Sequence, residues 1–170
     1  VPDCSFGQSP EGVDFGYDGD VIYHEFGHSV VHGVSTVPFL GADEYGLVWD
    51  GGGLDEGSAD TVAMLLTLDP LMAEYAGSYD GLGEPIRDLS EPRRCPDDLF
   101  GESHYDGEIL GTTLWQMIDD PLLGEQVVAE LWWGSVTTWT SEITWARAGS
   151  SLLDAAADLL AVDFIDQAQH

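Results

Sequence analysis

His24-Glu25-Phe26-Gly27-His28 is the stretch around which this chain must fold. On an α-helix, residues four positions apart lie on the same face, so His24 and His28 would present two imidazoles side by side. Two imidazoles at this spacing suit a tetrahedral Zn²⁺ ion, and Glu25 would stand beside them as a general base. Apolar residues on both sides of the motif recur near helical spacing. The pattern therefore predicts a helix over residues 20–33.

The residues around this helix limit how the motif can continue. Asp18 or Asp20 can cap its start, because a carboxylate accepts hydrogen bonds from the free amides of a first turn. A third histidine in the spacing HExxHxxGxxH is absent, since Val31 and Val34 occupy the glycine and histidine positions. His32 lies one turn beyond His28, too far along the axis for a compact ligand set. We interpret it as a packed or surface histidine.

A candidate third ligand follows a glycine-rich stretch at residues 51–53, which we expect to form a turn. Glu56 and Asp60 are four residues apart and would share one face of a helix that runs to about Leu68. Glu56 would complete a His₂Glu set. Asp60 would accept the second ring N–H of a ligand histidine and so fix its tautomer. The alternative is an acidic helix start that the helix dipole favours.

These segments resemble the gluzincin zinc metallopeptidases, in particular the fungalysin-like and thermolysin-like families. The resemblance spans residues 20–120, and its matching segments are HEFGH at 24–28, GGLDEGSAD at 52–60, RDLSEP at 87–92 and HYDGEI at 104–109. In the third segment Glu91 stands where the thermolysin-type pattern has Asp. The helical patterns along the chain predict a mainly α fold, and the resemblance implies a zincin-like catalytic domain with a small or trimmed β portion. It also implies a Zn²⁺ ion held by His24, His28 and Glu56.

The same resemblance implies roles for two further residues. His104 would stabilise the oxyanion that forms when water attacks a peptide carbonyl, and Arg87 would hydrogen-bond a substrate backbone carbonyl. The alternatives are an exposed loop histidine and an ordinary ion-pair partner. Thermolysin-like members also use a tyrosine between the second histidine and the glutamate to steady the oxyanion. Tyr45 is the only tyrosine in that interval here, but its spacing from His28 is longer than in those relatives. The carboxylates that could orient His104 are Asp97, Asp98 and Asp106.

Composition sets the outer limits. The 170 residues suit one compact domain, and we divide them into an N-terminal loop segment, 1–19, and a catalytic domain, 20–170. A net charge of −28 without lysine excludes nucleic acid as a partner. It favours an acidic surface suited to saline, extracellular surroundings. Bound Ca²⁺ is the alternative, because thermolysin-like members often place a calcium-binding Asp where Asp20 stands, but no downstream carboxylates complete such a site.

Only 23 residues precede the motif, whereas thermolysin-like enzymes normally carry a sheet-containing lobe there. We therefore expect a trimmed architecture or one piece of a longer precursor, and a peptide or protein as the substrate. In a secreted protein, Cys4 and Cys95 would form a disulfide. With a loop of that length, the bridge would contribute about 4 kcal/mol. No apolar run is long enough for membrane insertion.

The rest of the chain predicts further helices. A loop or short strand pair is expected over 34–53, and a long irregular stretch over 77–103. Shorter and longer helical patterns lie at 71–76, 108–118, 124–135 and 150–164. Two other functions remain open at this point. One is a non-catalytic, peptidase-like interaction module, and the other is a structural zinc domain whose fourth coordination position is closed.

Overall fold

The computed structural model describes residues 6–10, 12–43, 46–79, 84–166 and 168–169. These residues form a mainly helical fold with two small antiparallel sheets, which confirms the predicted class. A 3₁₀ turn at Phe15–Tyr17 precedes the regular elements. In chain order these are α1 (Gly19–Val34), β1 (Gly41–Asp43), β2 (Gly46–Val48), α2 (Asp50–Thr67), β3 (Leu71–Met72), α3 (Glu74–Tyr79), β4 (Arg87–Asp88), α4 (Ser103–Asp119), α5 (Gly124–Val136) and α6 (Trp145–Ala161).

Helix α1 begins where the sequence predicts. The Asp18 carboxylate accepts hydrogen bonds from the backbone amides of Asp20 and Val21, so Asp18 is the N-cap. The helix continues one residue past Gly33 to Val34. Its end is closed by Ser35, whose backbone amide and hydroxyl both donate to the Val31 carbonyl.

Helix α2 lies at the centre of the fold and is buried continuously from Gly51 to Met64. The prediction that residues 51–53 form a turn before the helix is wrong, because α2 already begins at Asp50. Close packing explains the glycines. A Cβ added to Gly52 would lie 2.6 Å from the Phe39 carbonyl oxygen, a distance that real Cβ atoms do not reach. These glycines let neighbouring backbone approach the first turn of α2.

Helices α1 and α4 make the most extensive contacts with α2. At the crossing of α1 and α2, a Cβ on Gly27 would lie 2.7 Å from the Ala59 Cα atom. Gly27 belongs to the HEFGH motif, and Ala59 lies between Glu56 and Asp60. The absence of a side chain at residue 27 therefore brings the two histidines directly against Glu56 and Asp60.

Helices α5 and α6 complete the core. The three predicted patterns 108–118, 124–135 and 150–164 appear as α4, α5 and α6, with α4 starting five residues earlier and α6 starting at Trp145. Trp132 on α5 donates its indole N–H to the Ser58 hydroxyl of α2, 3.2 Å away. Its ring packs in the main apolar cluster, whose fully buried members include Leu54, Met64, Leu89, Leu114 and Val128.

The short strands serve mainly to position loops. Strands β1 and β2 form the predicted strand pair within 34–53, with Gly41 opposite Val48. Strands β3 and β4 pair Met72 with Arg87, and so hold Arg87 beside the centre of the molecule. The predicted helical pattern at 71–76 begins as strand β3 and becomes α3 only at Glu74. None of the helices in the described ranges has the length and apolar character needed to cross a bilayer.

Candidate metal centre

Three side chains converge where α1 crosses α2. The Nε2 atom of His24 lies 3.1 Å from Glu56 Oε2 and 3.2 Å from His28 Nε2, and His28 Nε2 lies 3.7 Å from Glu56 Oε2. Tetrahedral metal sites with bonds of about 2.0 to 2.2 Å place their donor atoms roughly 3.3 to 3.6 Å apart. The three distances in this protein fall within about 0.2 Å of that range, two below it and one above it. His24, His28 and Glu56 therefore form a group that could hold a metal ion.

The hydrogen bonding of the same atoms also fits a cation. Glu56 Oε2 is buried and has no aligned hydrogen bond, although His24 Nε2 lies nearby. Buried polar atoms are normally paired, because an unpaired one loses its hydration without compensation. A positive ion among the three donors would satisfy this oxygen and both ring nitrogens. Two imidazoles with one carboxylate form a donor set suited to Zn²⁺.

Asp60 and Arg87 support His24 from behind. Asp60 Oδ1 lies 2.7 Å from His24 Nδ1, and Arg87 contacts the same carboxylate with Nη2 at 2.6 Å and Nε at 2.9 Å. Burial of Asp60 favours its protonated form, but the charge of Arg87 and the hydrogen bond from His24 outweigh burial and lower the Asp60 pKa to about 2. The ionised carboxylate accepts the proton on His24 Nδ1. The other ring nitrogen, His24 Nε2, therefore faces His28 and Glu56.

Electrostatics make His24 a strong ligand. Burial opposes protonation of its ring, yet the hydrogen bond to Asp60 and the nearby Glu56 carboxylate outweigh burial and raise the His24 pKa to about 9. A ring with high affinity for a proton also has high affinity for a metal ion. The structure thus places Asp60 where the sequence predicts. It places Arg87 against Asp60, so that at least two of its N–H donors point to that carboxylate.

Asp55 is a site residue that the sequence analysis missed. Its Oδ2 atom lies 3.1 Å from His28 Nδ1 and 3.0 Å from His32 Nε2. Burial opposes protonation of His28, but the Asp55 carboxylate outweighs it and raises the His28 pKa. In the sequence, the position of Asp55 directly before Glu56 could have indicated that its side chain also lies near the histidines. His32 is half-exposed and belongs to this second contact, outside the His24, His28 and Glu56 group.

A cavity of about 280 Å³ opens beside the ligand group. His24, Glu25, Arg87 and His104 line it together, and its apolar wall consists of Phe15, Val21, Met72, Ala73 and Ile86. A larger apolar cavity of about 540 Å³ lies between α2, α4 and α6, away from these groups. We assign the chemistry to the smaller cavity, because the titratable side chains converge there.

His104 lies in the first turn of α4, not in a loop. Its Nε2 atom is 3.5 Å from Glu56 Oε1, and its Nδ1 atom donates to Glu102 Oε1 at 2.7 Å. Glu102 is also the N-cap of α4, since its other carboxylate oxygen accepts the amide hydrogen of Tyr105. The sequence analysis named three aspartates for this task and overlooked Glu102. Asp106, for example, instead accepts the backbone amides of Phe100 and Gly101.

The remaining predicted groups are less defined. Cys95 is exposed with a free thiol, and Cys4 lies outside the described residues, so the disulfide stays a prediction. Tyr45 also lies outside them. Among the described residues, groups of three or more close metal-ligand side chains are His24, His28 and Glu56, and His28, His32 and Asp55. Asp20 belongs to neither group, and calcium gains no support from them.

Comparison of the chain with protein-family models and with curated proteins gives no match. The resemblance to gluzincins therefore rests on the sequence motifs alone.

Proposed function

We propose that this protein is a zinc metallopeptidase that cleaves internal peptide bonds and works in saline surroundings outside the cell. One observation carries the proposal. The cavity that His24 lines is also lined by Glu25 and His104, the two side chains that the resemblance assigns to catalysis. A carboxylate base and an imidazole donor in one cavity with a member of a metal-ligand group are the minimum set for hydrolysis by an activated water.

The residues divide the work as follows. A Zn²⁺ ion at the His₂Glu group would supply an acidified water and a Lewis acid for the scissile carbonyl. Glu25 accepts a proton from that water and later delivers it to the leaving amine. His104 donates its Nε2–H to the oxyanion of the tetrahedral intermediate, and Glu102 holds the ring so that Nδ1 keeps its own proton.

Arg87 and Asp60 both act on the ligand group. Asp60 holds the His24 ring in the tautomer that leaves Nε2 unprotonated, and Arg87 keeps Asp60 ionised. Arg87 also lines the cavity, so a contact with a substrate carbonyl remains part of the proposal. The apolar wall favours a hydrophobic substrate side chain next to the scissile bond.

Glu25→Gln is the decisive variant, because glutamine fills the same space but cannot accept the water proton. We expect the rate of casein hydrolysis to fall by about 10²-fold to 10⁴-fold, with zinc content unchanged. Glu130→Gln is the matched control, since Glu130 is exposed on α5 and lines no part of the cavity. Full activity in Glu25→Gln, or no zinc in the wild-type protein, would overturn the proposal.

The wild type and these two variants also distinguish a peptidase from two other functions. A structural zinc domain needs a fourth protein ligand, and the group formed by the described residues offers only three. A hydroxamate that inhibits casein hydrolysis would support an open fourth position. A non-catalytic interaction module would bind zinc but leave casein intact in both the wild type and the Glu130→Gln control.

A further inference from the structure

A second group of metal-ligand side chains lies one helical turn further along α1. Asp55 Oδ2 lies 3.0 Å from His32 Nε2 and 3.1 Å from His28 Nδ1. One donor atom from each of the three residues lies within 4.8 Å of the others. This group uses the opposite nitrogen of His28 from the one that faces His24 and Glu56. The two groups are thus adjacent but use different atoms.

Two buried atoms of these residues have no aligned hydrogen bond. One is His28 Nδ1, which contacts Asp55 Oδ2 at 3.1 Å without hydrogen-bond alignment, and the other is Asp55 Oδ1, the second oxygen of the same carboxylate. Asp55 is only 5% exposed, so water does not readily replace the missing partners. The Glu56 group leaves both atoms unexplained, because it draws on His28 Nε2 alone. His32, in contrast, is half-exposed and gives an ion access from solvent.

We propose that His28, His32 and Asp55 form a second divalent-cation site that shares the His28 ring with the first. Two imidazoles and one carboxylate favour Zn²⁺ and neighbouring transition ions over Mg²⁺ and Ca²⁺, which prefer oxygen ligands. A cation there would be held by His28 Nδ1, His32 Nε2 and the Asp55 carboxylate, and would compensate the buried charge of that carboxylate. The inference depends only on these donor atoms and does not require peptidase activity.

Sharing one ring makes the two sites unequal. When both are filled, each nitrogen of His28 binds one ion, and the ring releases its N–H proton to solvent. The second ion must displace that proton and approach another dication, so it binds more weakly than the first. It should therefore enter only at higher free metal concentrations.

Equilibrium dialysis of the full chain against buffered Zn²⁺ tests this directly, with bound zinc measured by elemental analysis. Excess Mg²⁺ in the buffer occupies surface sites made of carboxylates alone. We expect one tight equivalent followed by a second, weaker one. In His32→Ala the second step should weaken by at least about 10-fold, since even an outer partner of a metal site contributes that much. The first step should stay unchanged.

Asp158→Asn is the control, because Asp158 is an exposed carboxylate on α6, and both steps should persist in it. The proposal is overturned if the wild type binds fewer than two equivalents, or if His32→Ala keeps the second step at full affinity. If His32 and Asp55 only hold His28 in place, His32→Ala would weaken the first step and the wild type would show no second one. Because the readout is bound metal, a failure of the peptidase proposal leaves this result intact.

Discussion

Asp60 is the residue on which the geometry of the ligand group depends. It is completely buried, and its charge is balanced by Arg87 on one side and by the His24 ring on the other. Removing one partner of a buried ion pair leaves an uncompensated charge, which is far more costly than losing an exposed pair. The structure offers both kinds of arginine pair for comparison.

Arg87→Ala should therefore destabilise the protein strongly. We expect the free energy of unfolding to fall by about 3 kcal/mol, measured by urea denaturation, and zinc affinity to fall by about 10-fold. Arg147→Ala is the matched control, because Arg147 pairs with Glu142 on the surface and both side chains are exposed. That variant should lose less than about 1 kcal/mol. Equal effects of the two substitutions would show that Asp60 does not depend on Arg87.

Asp20 gives the protein a measurable dependence on pH. Burial and a hydrogen bond with Glu74 raise its pKa to about 6, although the backbone amide of Ala73 works in the opposite direction. Between about pH 4 and pH 6 the folded protein therefore keeps a proton that the unfolded chain has lost. The contribution of Asp20 to stability is complete below pH 4 and is lost as the pH rises through 6.

Asp20→Asn removes this loss. Asparagine can still accept the Ala73 amide hydrogen and can donate to Glu74. Because Asp20 is partly exposed and screened by solvent, we expect a gain of about 1 kcal/mol at pH 7 and none at pH 4, relative to wild type in urea denaturation. Asp154→Asn, at an exposed position on α6, should show no such difference between the two pH values when both variants are measured in about 1 M KCl, which screens surface charge. A gain at pH 4 as large as that at pH 7 would contradict the assignment.

At the scale of helices, one close approach sets the position of the group that could hold a metal ion. The backbone of α1 at Gly27 lies against α2 at Ala59. This contact holds the two histidines of α1 close to Glu56 of α2. Gly33 lies on the same helix, but a methyl group added there would meet nothing within 4 Å. The packing therefore requires glycine at residue 27 but not at residue 33.

Alanine at these two positions should thus have effects of opposite sign. Gly27→Ala forces the helices apart, and we expect a loss of about 1 to 3 kcal/mol together with weaker zinc binding. Gly33→Ala should gain up to about 1 kcal/mol, because alanine favours the helix and meets no obstacle. Thermal unfolding and zinc dialysis of both variants provide the measurement. A neutral Gly27→Ala would mean that the crossing can relax without cost.

The local sequence pattern predicted some helices correctly and gave the wrong start for α2. The helices that carry HEFGH and the C-terminal apolar patterns were predictable, because their periodicity and the Asp18 cap are local signals. The start of α2 was not, because the need for glycine at residue 52 comes from Phe39 across the fold. Asp55 and Glu102 were missed for a related reason. Which carboxylate meets which histidine depends on how helices are placed, and the acidic composition offers many candidates.

At the scale of the whole molecule, charge repulsion opposes folding. The chain has 32 acidic residues against 4 arginines, so compaction brings like charges together over most of the surface. Salt relieves this repulsion, since the Debye length falls from about 30 Å at 0.01 M to about 3 Å at 1 M. The saline surroundings that we propose would supply this screening.

Thermal unfolding in KCl should therefore show a Tm that rises between about 0.01 M and 1 M salt, by roughly 3 °C for each kcal/mol of repulsion relieved. The double variant Asp154→Asn with Asp158→Asn removes two exposed carboxylates one helical turn apart on α6. It should have a higher Tm than wild type at low salt and gain less from added salt. A Tm that stays constant or falls with KCl would argue against a charge-limited fold.

The continuous burial of α2 has a consequence for biosynthesis. Its glycine-rich first turns have little intrinsic tendency to be helical, and most of the stability of a helix in a protein comes from packing. The walls that enclose it include α4, which is translated some fifty residues later. All three ligands thus leave the ribosome well before the scaffold that aligns them. The ion-binding geometry is completed only once that later segment has emerged, so the nascent chain passes through a stage in which its histidines and glutamate are made but not yet assembled.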